Sequence, residues 1–111
     1  MKSEKRRYKR YVVSGQVEIR TEVDEAVGEL VHIGRRGILI RSHFIPPLRT
    51  DLSIHFTVRG YGETFRVGGH VVGSEKDMIA VRFSVEPAGM EKLLQWLDKK
   101  GKSRVASGGA L

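Results

Sequence analysis

The chain reads first as a succession of short alternating segments. Residues 12–20 place Val13, Gly15, Val17 and Ile19 on one face and Ser14, Gln16, Glu18 and Arg20 on the other. That period of two predicts a half-buried strand. A polar turn over Thr21 to Glu25 leads into a second apolar-rich run, 26–33, with Val27, Val31 and Ile33 expected on one side. Gly34-Arg35-Arg36-Gly37 interrupts it, and Ile38-Leu39-Ile40 reads as a third short strand. Phe44-Ile45-Pro46-Pro47 is expected to be a connector, because proline cannot donate to a strand ladder.

The fourth strand has the clearest pattern. Leu52, Ile54, Phe56 and Val58 alternate with Ser53, His55, Thr57 and Arg59, which is the signature of an antiparallel strand with one wet face. Gly60-Tyr61-Gly62 turns the chain. Phe65 to Val72 forms a fifth strand whose central Gly68 and Gly69 suggest a bend or bulge. Ser74 to Asp77 turns it again, and Met78 to Phe83 is the sixth strand.

The period then lengthens. Met90, Leu93, Leu94 and Leu97 recur at helical spacing with Trp96 beside them. Pro87 suits a first helical turn, and Lys99, Lys100 and Gly101 supply terminal cations and a stop. Six strands with short turns and one C-terminal helix predict an all-β fold, a small antiparallel barrel with the helix over one open end.

With 111 residues, 40% of them hydrophobic, the chain holds one domain with a single modest core. It has no Cys, which excludes a disulfide framework, a thiolate metal site and a cysteine nucleophile. No apolar run approaches the ~18 residues of a membrane span and the N-terminus has no apolar signal region. A soluble, cytoplasmic protein is expected.

Charge divides the chain. The total is +7. Lys2, Lys5, Arg6, Arg7, Lys9 and Arg10 oppose only Glu4, so residues 1–10 carry +5 and the rest only +2. Residues 1–10 are too polar to pack and are expected to form a flexible basic arm. Residues 11–100 form the barrel and helix, and 101–111, rich in Ser, Gly and Ala, a frayed tail. A basic arm beside a balanced domain points to an anionic partner.

Geometry sharpens this. If 12–20 and 26–33 pair as a hairpin, each strand spanning roughly 26 Å, the arm meets the His32–Gly37 turn and lies far from the 21–25 turn. Arg6, Arg7, Arg10, Arg35 and Arg36 then gather at one rim. Arginine grips phosphate oxygens or the O6/N7 edge of guanine with a planar fork and stacks on base planes. Glycines at 34 and 37 allow a ligand to approach the backbone. A guanine nucleotide or dinucleotide fits better than a lipid, which wants an amphipathic face beside the charge.

These residues resemble the PilZ domains, bacterial receptors for cyclic di-GMP. Arg6-Arg7-Tyr8-Lys9-Arg10 matches the family's RRxxR arm. His32-Ile33-Gly34-Arg35-Arg36-Gly37 lies where the family carries [D/N]xSxxG. The resemblance covers roughly residues 5–100 and implies a six-stranded antiparallel barrel with a C-terminal helix. It also implies that Arg6 and Arg10 clamp guanine or phosphate with Arg7 assisting.

The second motif keeps only Gly37. His32 stands in place of Asp or Asn, and Gly34 in place of Ser, so two ligand hydrogen bonds are altered or lost. At about 0.5–1.5 kcal/mol for a neutral bond and about 1.5–3 for a charged one, the loss is about 2–4.5 kcal/mol, roughly 30- to 2000-fold in affinity. Arg35 and Arg36 could offset part of it through phosphate contacts.

Two readings stand side by side: a cyclic di-GMP receptor whose arm orders on the ligand, and a degenerate PilZ module that binds no nucleotide and works as an adaptor for a protein partner. A single-stranded nucleic-acid barrel needs exposed stacking aromatics. Here Phe56, Phe65, Phe83 and Trp96 fall on apolar faces, leaving Tyr8 and Tyr11 near the arm. His32, His43, His55 and His70 have no metal-ligand spacing and no evident nucleophile or carboxylate partner. Neither catalysis nor a cofactor is expected.

Overall fold

The computed structural model describes residues 9–100. Seven strands precede one helix: β1 (Arg10–Val12), β2 (Gln16–Arg20), β3 (Glu25–Gly34), β4 (Gly37–Arg41), β5 (Asp51–Thr57), β6 (Thr64–Glu75), β7 (Met78–Phe83) and α1 (Met90–Lys99). All pairings are antiparallel. The sheet runs β3-β2-β5-β6-β7-β4 and returns from β4 to β3, closing a six-stranded barrel. The additional short strand, β1, pairs with the end of β3 beyond β2. The predicted first strand is therefore present but broken in two.

The break has a steric cause. A Cβ at Gly15 would collide with the Thr57 carbonyl oxygen of β5, so only glycine lets the backbone pass this close. The linker still uses its backbone groups. Leu30 N–H donates to the Gly15 carbonyl and Arg59 N–H to the Ser14 carbonyl, both at 2.9 Å. It thus ties β3 to the strand on its other flank.

The core is aliphatic with aromatic filling. Val17, Ile19, Ile33, Ile38, Ile40, Ile54, Ile79 and Val81 are fully buried, as the alternation predicts. Phe56 stacks between Phe65 and Phe83, with ring centroids 5.1 and 6.4 Å apart. The helix supplies Met90, Leu93, Leu94 and Leu97 to the same cluster. It closes one end of the barrel as expected. Tyr61 of the β5–β6 turn meets Trp96 edge-on at 5.0 Å.

Three local expectations need correction. In β3, Val27 is 61% exposed, while Gly28 and Leu30 face inward. A register shift against β4 between Leu30 and His32 then brings Ile33 inside. A bulge inserts one residue and reverses the phase of everything beyond it, which a strict period of two cannot represent. In β6 the shift lies between Val71 and Gly73, downstream of the glycine pair, and the strand extends to Glu75. Pro87 sits ahead of the helix, in a turn where its carbonyl accepts from Met90 N–H at 3.1 Å.

Gly15→Ala is expected to destabilise the domain by about 2 kcal/mol or more, since backbone rather than a pliable side chain must yield. Urea unfolding of the two proteins measures this, and an unchanged midpoint would contradict the close approach.

Candidate functional site

At the end of the barrel under α1, the chain enters beside the turn between β3 and β4. Arg10 lies directly opposite Gly34, Tyr11 opposite Ile33 and Val12 opposite His32. The hairpin geometry expected from the sequence is therefore present, with the last residue of the arm, Arg10, beside the turn. Arg6 and Arg7 lie outside the described residues. Arg10, expected as the last residue of the arm, is the first of β1, and its side chain is buried.

Gly34 explains how that burial is possible. A Cβ there would lie 3.1 Å from Arg10 Cγ and 3.2 Å from the Lys9 carbonyl oxygen, closer than side chains ordinarily pack. A serine there would require the Arg10 stem and the Lys9 carbonyl to give by a few tenths of an ångström. The departure from [D/N]xSxxG at position 34 and the packing of Arg10 are one feature.

His32 is half-buried between β1 and β4, facing Val12 and Leu39. Its pKa is pushed below the ordinary value of 6.5, first by burial and then by the Arg10 cation. It is thus held neutral, with one ring nitrogen available as donor and one as acceptor.

Arg35 and Arg36 form the turn itself. Arg35 Nη1 donates to both Glu86 oxygens at 3.1 and 3.2 Å and lies 3.9 Å from Glu91 Oε1 of the helix. These groups remain partly exposed, so the ion pairs are each worth at most about 1 kcal/mol and an anion of higher charge can compete for the guanidinium. Arg36 is exposed, and its carbonyl accepts from Phe83 N–H at 2.8 Å. Gly37 is buried at the start of β4, opposite Arg82 of β7.

Arg82, which sequence reasoning did not single out, stands beside the turn. With Arg35, Arg36 and Ser84 it lines an open recess of about 250 Å³ on the flank of the turn. No motif marks it, and only the β4–β7 register places it there. A second recess of about 210 Å³ between arm and helix is lined by Lys9, Tyr11, Arg35, Glu91 and Asp98. Asp98 ties the arm's base to the helix. It accepts from the Tyr11 hydroxyl at 2.8 Å and lies 3.6 Å from Lys9 Nζ. Burial and then the Asp98 bond raise the Tyr11 pKa to about 12.

Residues 4–99 match the PilZ domain. The chain belongs to the PilZ domain family. This is a family of cyclic di-GMP receptors, built of binding and adaptor domains rather than enzymes. No curated protein sequence matches the chain. Among solved structures, the Bacillus subtilis inhibitor of motility MotI/DgrA superposes with a TM-score of 0.73 at 19% identity, over 89% of this chain and 52% of that one. The chain thus spans about half the length of that protein. The PilZ domain of Escherichia coli YcgR with cyclic di-GMP gives 0.69 at 14% identity, over 88% and 95% of the two chains. The PilZ domain of CeSA from a cellulose-synthesizing bacterium gives 0.60 at 9%, over 83% and 97%. At these identities the likeness establishes the barrel. Among the described residues no group of His, Asp and Glu could hold a metal, and no helix is long and apolar enough to cross a membrane.

Two predictions follow from the electrostatics of this end. The lowered pKa of His32 means that the unfolded chain binds the extra proton more readily. Stability from this group is full above about pH 6.5 and falls as pH drops through the lower folded value. Denaturant unfolding between pH 7 and pH 5 should show that decline, and His32→Asn should flatten part of it. Tyr11→Phe is expected to lower stability by about 0.5–1.5 kcal/mol through loss of the Asp98 bond, read as a shift of the urea midpoint at pH 7.

Proposed function

We propose that this PilZ domain is a cytoplasmic cyclic di-GMP receptor that grips the ligand between its basic arm and the β3–β4 turn. The pairing of Arg10 with Gly34 supports the reading, because it sets the last residue of the RRxxR segment beside the second motif. Arg6 and Arg10 clamp guanine or phosphate, with Arg7 assisting. Arg35 and Arg36 add phosphate contacts from the turn, and the neutral His32 ring contributes a hydrogen bond. Gly34 and Gly37 are both buried, Gly34 against the Arg10 stem, so they shape the turn rather than offer open backbone. The arm, residues 1–10, closes over the bound nucleotide, and its ordering changes the surface offered to a protein partner.

The adaptor reading keeps the same barrel without the ligand. It draws support from Gly34, which has no hydroxyl, and from Arg35, whose fork is already held by Glu86 and Glu91. A protein partner recovered equally with and without nucleotide would favour it.

Calorimetry of the full chain with cyclic di-GMP at low salt decides between the two. Binding in the range of tens of micromolar is expected, weakened about 10-fold or more by Arg6→Ala. Arg6 is the better probe, because Arg10 is buried and its loss also disturbs packing. No heat up to about 1 mM ligand would reject the receptor reading.

A further inference from the structure

The end of the barrel remote from the arm has the opposite character. There the β2–β3 turn and the β4–β5 connector wall an open recess of about 400 Å³. Val23, Phe44 and Pro47 give it apolar sides, and Glu22, Asp24 and Asp51 supply its charge. No lysine or arginine lines it. Val23 is 85% exposed at its edge.

The acids are available for a partner. The cations of the neighbouring strands are committed elsewhere, Arg20 to Glu25 and Arg41 to Glu29 and Asp77. Among the described residues no ion pair involves Glu22, Asp24 or Asp51. The walls are also held in place. Thr21 Oγ1 accepts from Val23 N–H and Asp24 N–H at 3.2 and 2.9 Å. On the other wall, Arg49 N–H donates to the Val71 carbonyl at 2.8 Å and Thr50 N–H to the Pro47 carbonyl at 3.1 Å.

The complementary surface is on the chain itself. Ahead of Lys9, which pairs with Asp98, and the buried Arg10, residues 1–8 carry +3 with Tyr8 among the cations, a match for a −3 recess with apolar sides. Within one molecule Arg6 and Arg7 cannot reach that recess. The arm joins β1 opposite Gly34, and the recess lies beyond Glu25 at the other end of ten-residue β3, roughly 30 Å away. Arg6, four residues before Arg10, reaches at most about 14 Å. We infer that the basic arm of one molecule docks in the acidic, apolar-walled recess of a second copy, joining domains head to tail. Such a contact builds rings or open chains, or a closed dimer where two molecules exchange arms reciprocally. It depends on charge and weakens as salt screens it.

Sedimentation velocity of the full chain without nucleotide tests this independently of ligand binding. The expected result is concentration-dependent association at about 50 mM salt that is largely lost at about 500 mM. Asp24→Lys with Asp51→Lys, both exposed and outside the nucleotide site, should weaken association about 10-fold or more while leaving the thermal melt near wild type. A second variant, Lys5→Glu with Arg6→Glu and Arg7→Glu, should likewise be monomeric alone. Mixing the two variants should restore association, since the reversed arm then faces a reversed recess. A wild-type chain that stays monomeric up to about 1 mM, association indifferent to the recess substitutions, or a mixture that remains monomeric would each overturn the proposal.

Discussion

The closure of β3 against strands on both flanks is the constraint on which the rest depends. On one side β3 holds β1 and β2 in succession, and on the other it holds β4. That double pairing turns an open meander into a barrel and removes the exposed edges that would otherwise recruit other strands. It also decides which segments become neighbours. Because β1 and β4 flank the same end of β3, residues far apart in the chain, Arg10 and the Arg35-Arg36 turn, meet at one rim.

The helix depends on that closure and secures it in return. Its apolar face completes the core, while its acids reach outward to the two basic elements at the rim. Glu91 faces Arg35, and Asp98 holds Tyr11 and Lys9. A ligand that draws on these cations therefore acts on contacts that also seat the helix. The rim is consequently coupled to the C-terminal element by side chains in direct contact, with no long-range pathway required.

The departures from the family motif take on a structural meaning. Gly34 does more than lack a hydroxyl, because the Arg10 stem packs tightly against it. His32 is kept neutral beside that same arginine. The site is thus a variant organised around a buried arginine.

Much of this was legible from residue order. Alternation located β2 and β5 and helical spacing located α1, because burial on one face imposes those periods, while short runs between turn signals located β4 and β7. Hairpin logic even placed Arg10 near the turn. What the sequence could not reveal depended on contacts between distant segments. The inward phase of β3 follows from a bulge set by its partner β4. The break at Gly15 follows from the Thr57 carbonyl, and the place of Arg82 at the rim follows from the β4–β7 register. The sequence by itself determined which stretches bury one face; only the tertiary structure decided which strand edges meet. Periodicity is local, whereas register is a property of pairs.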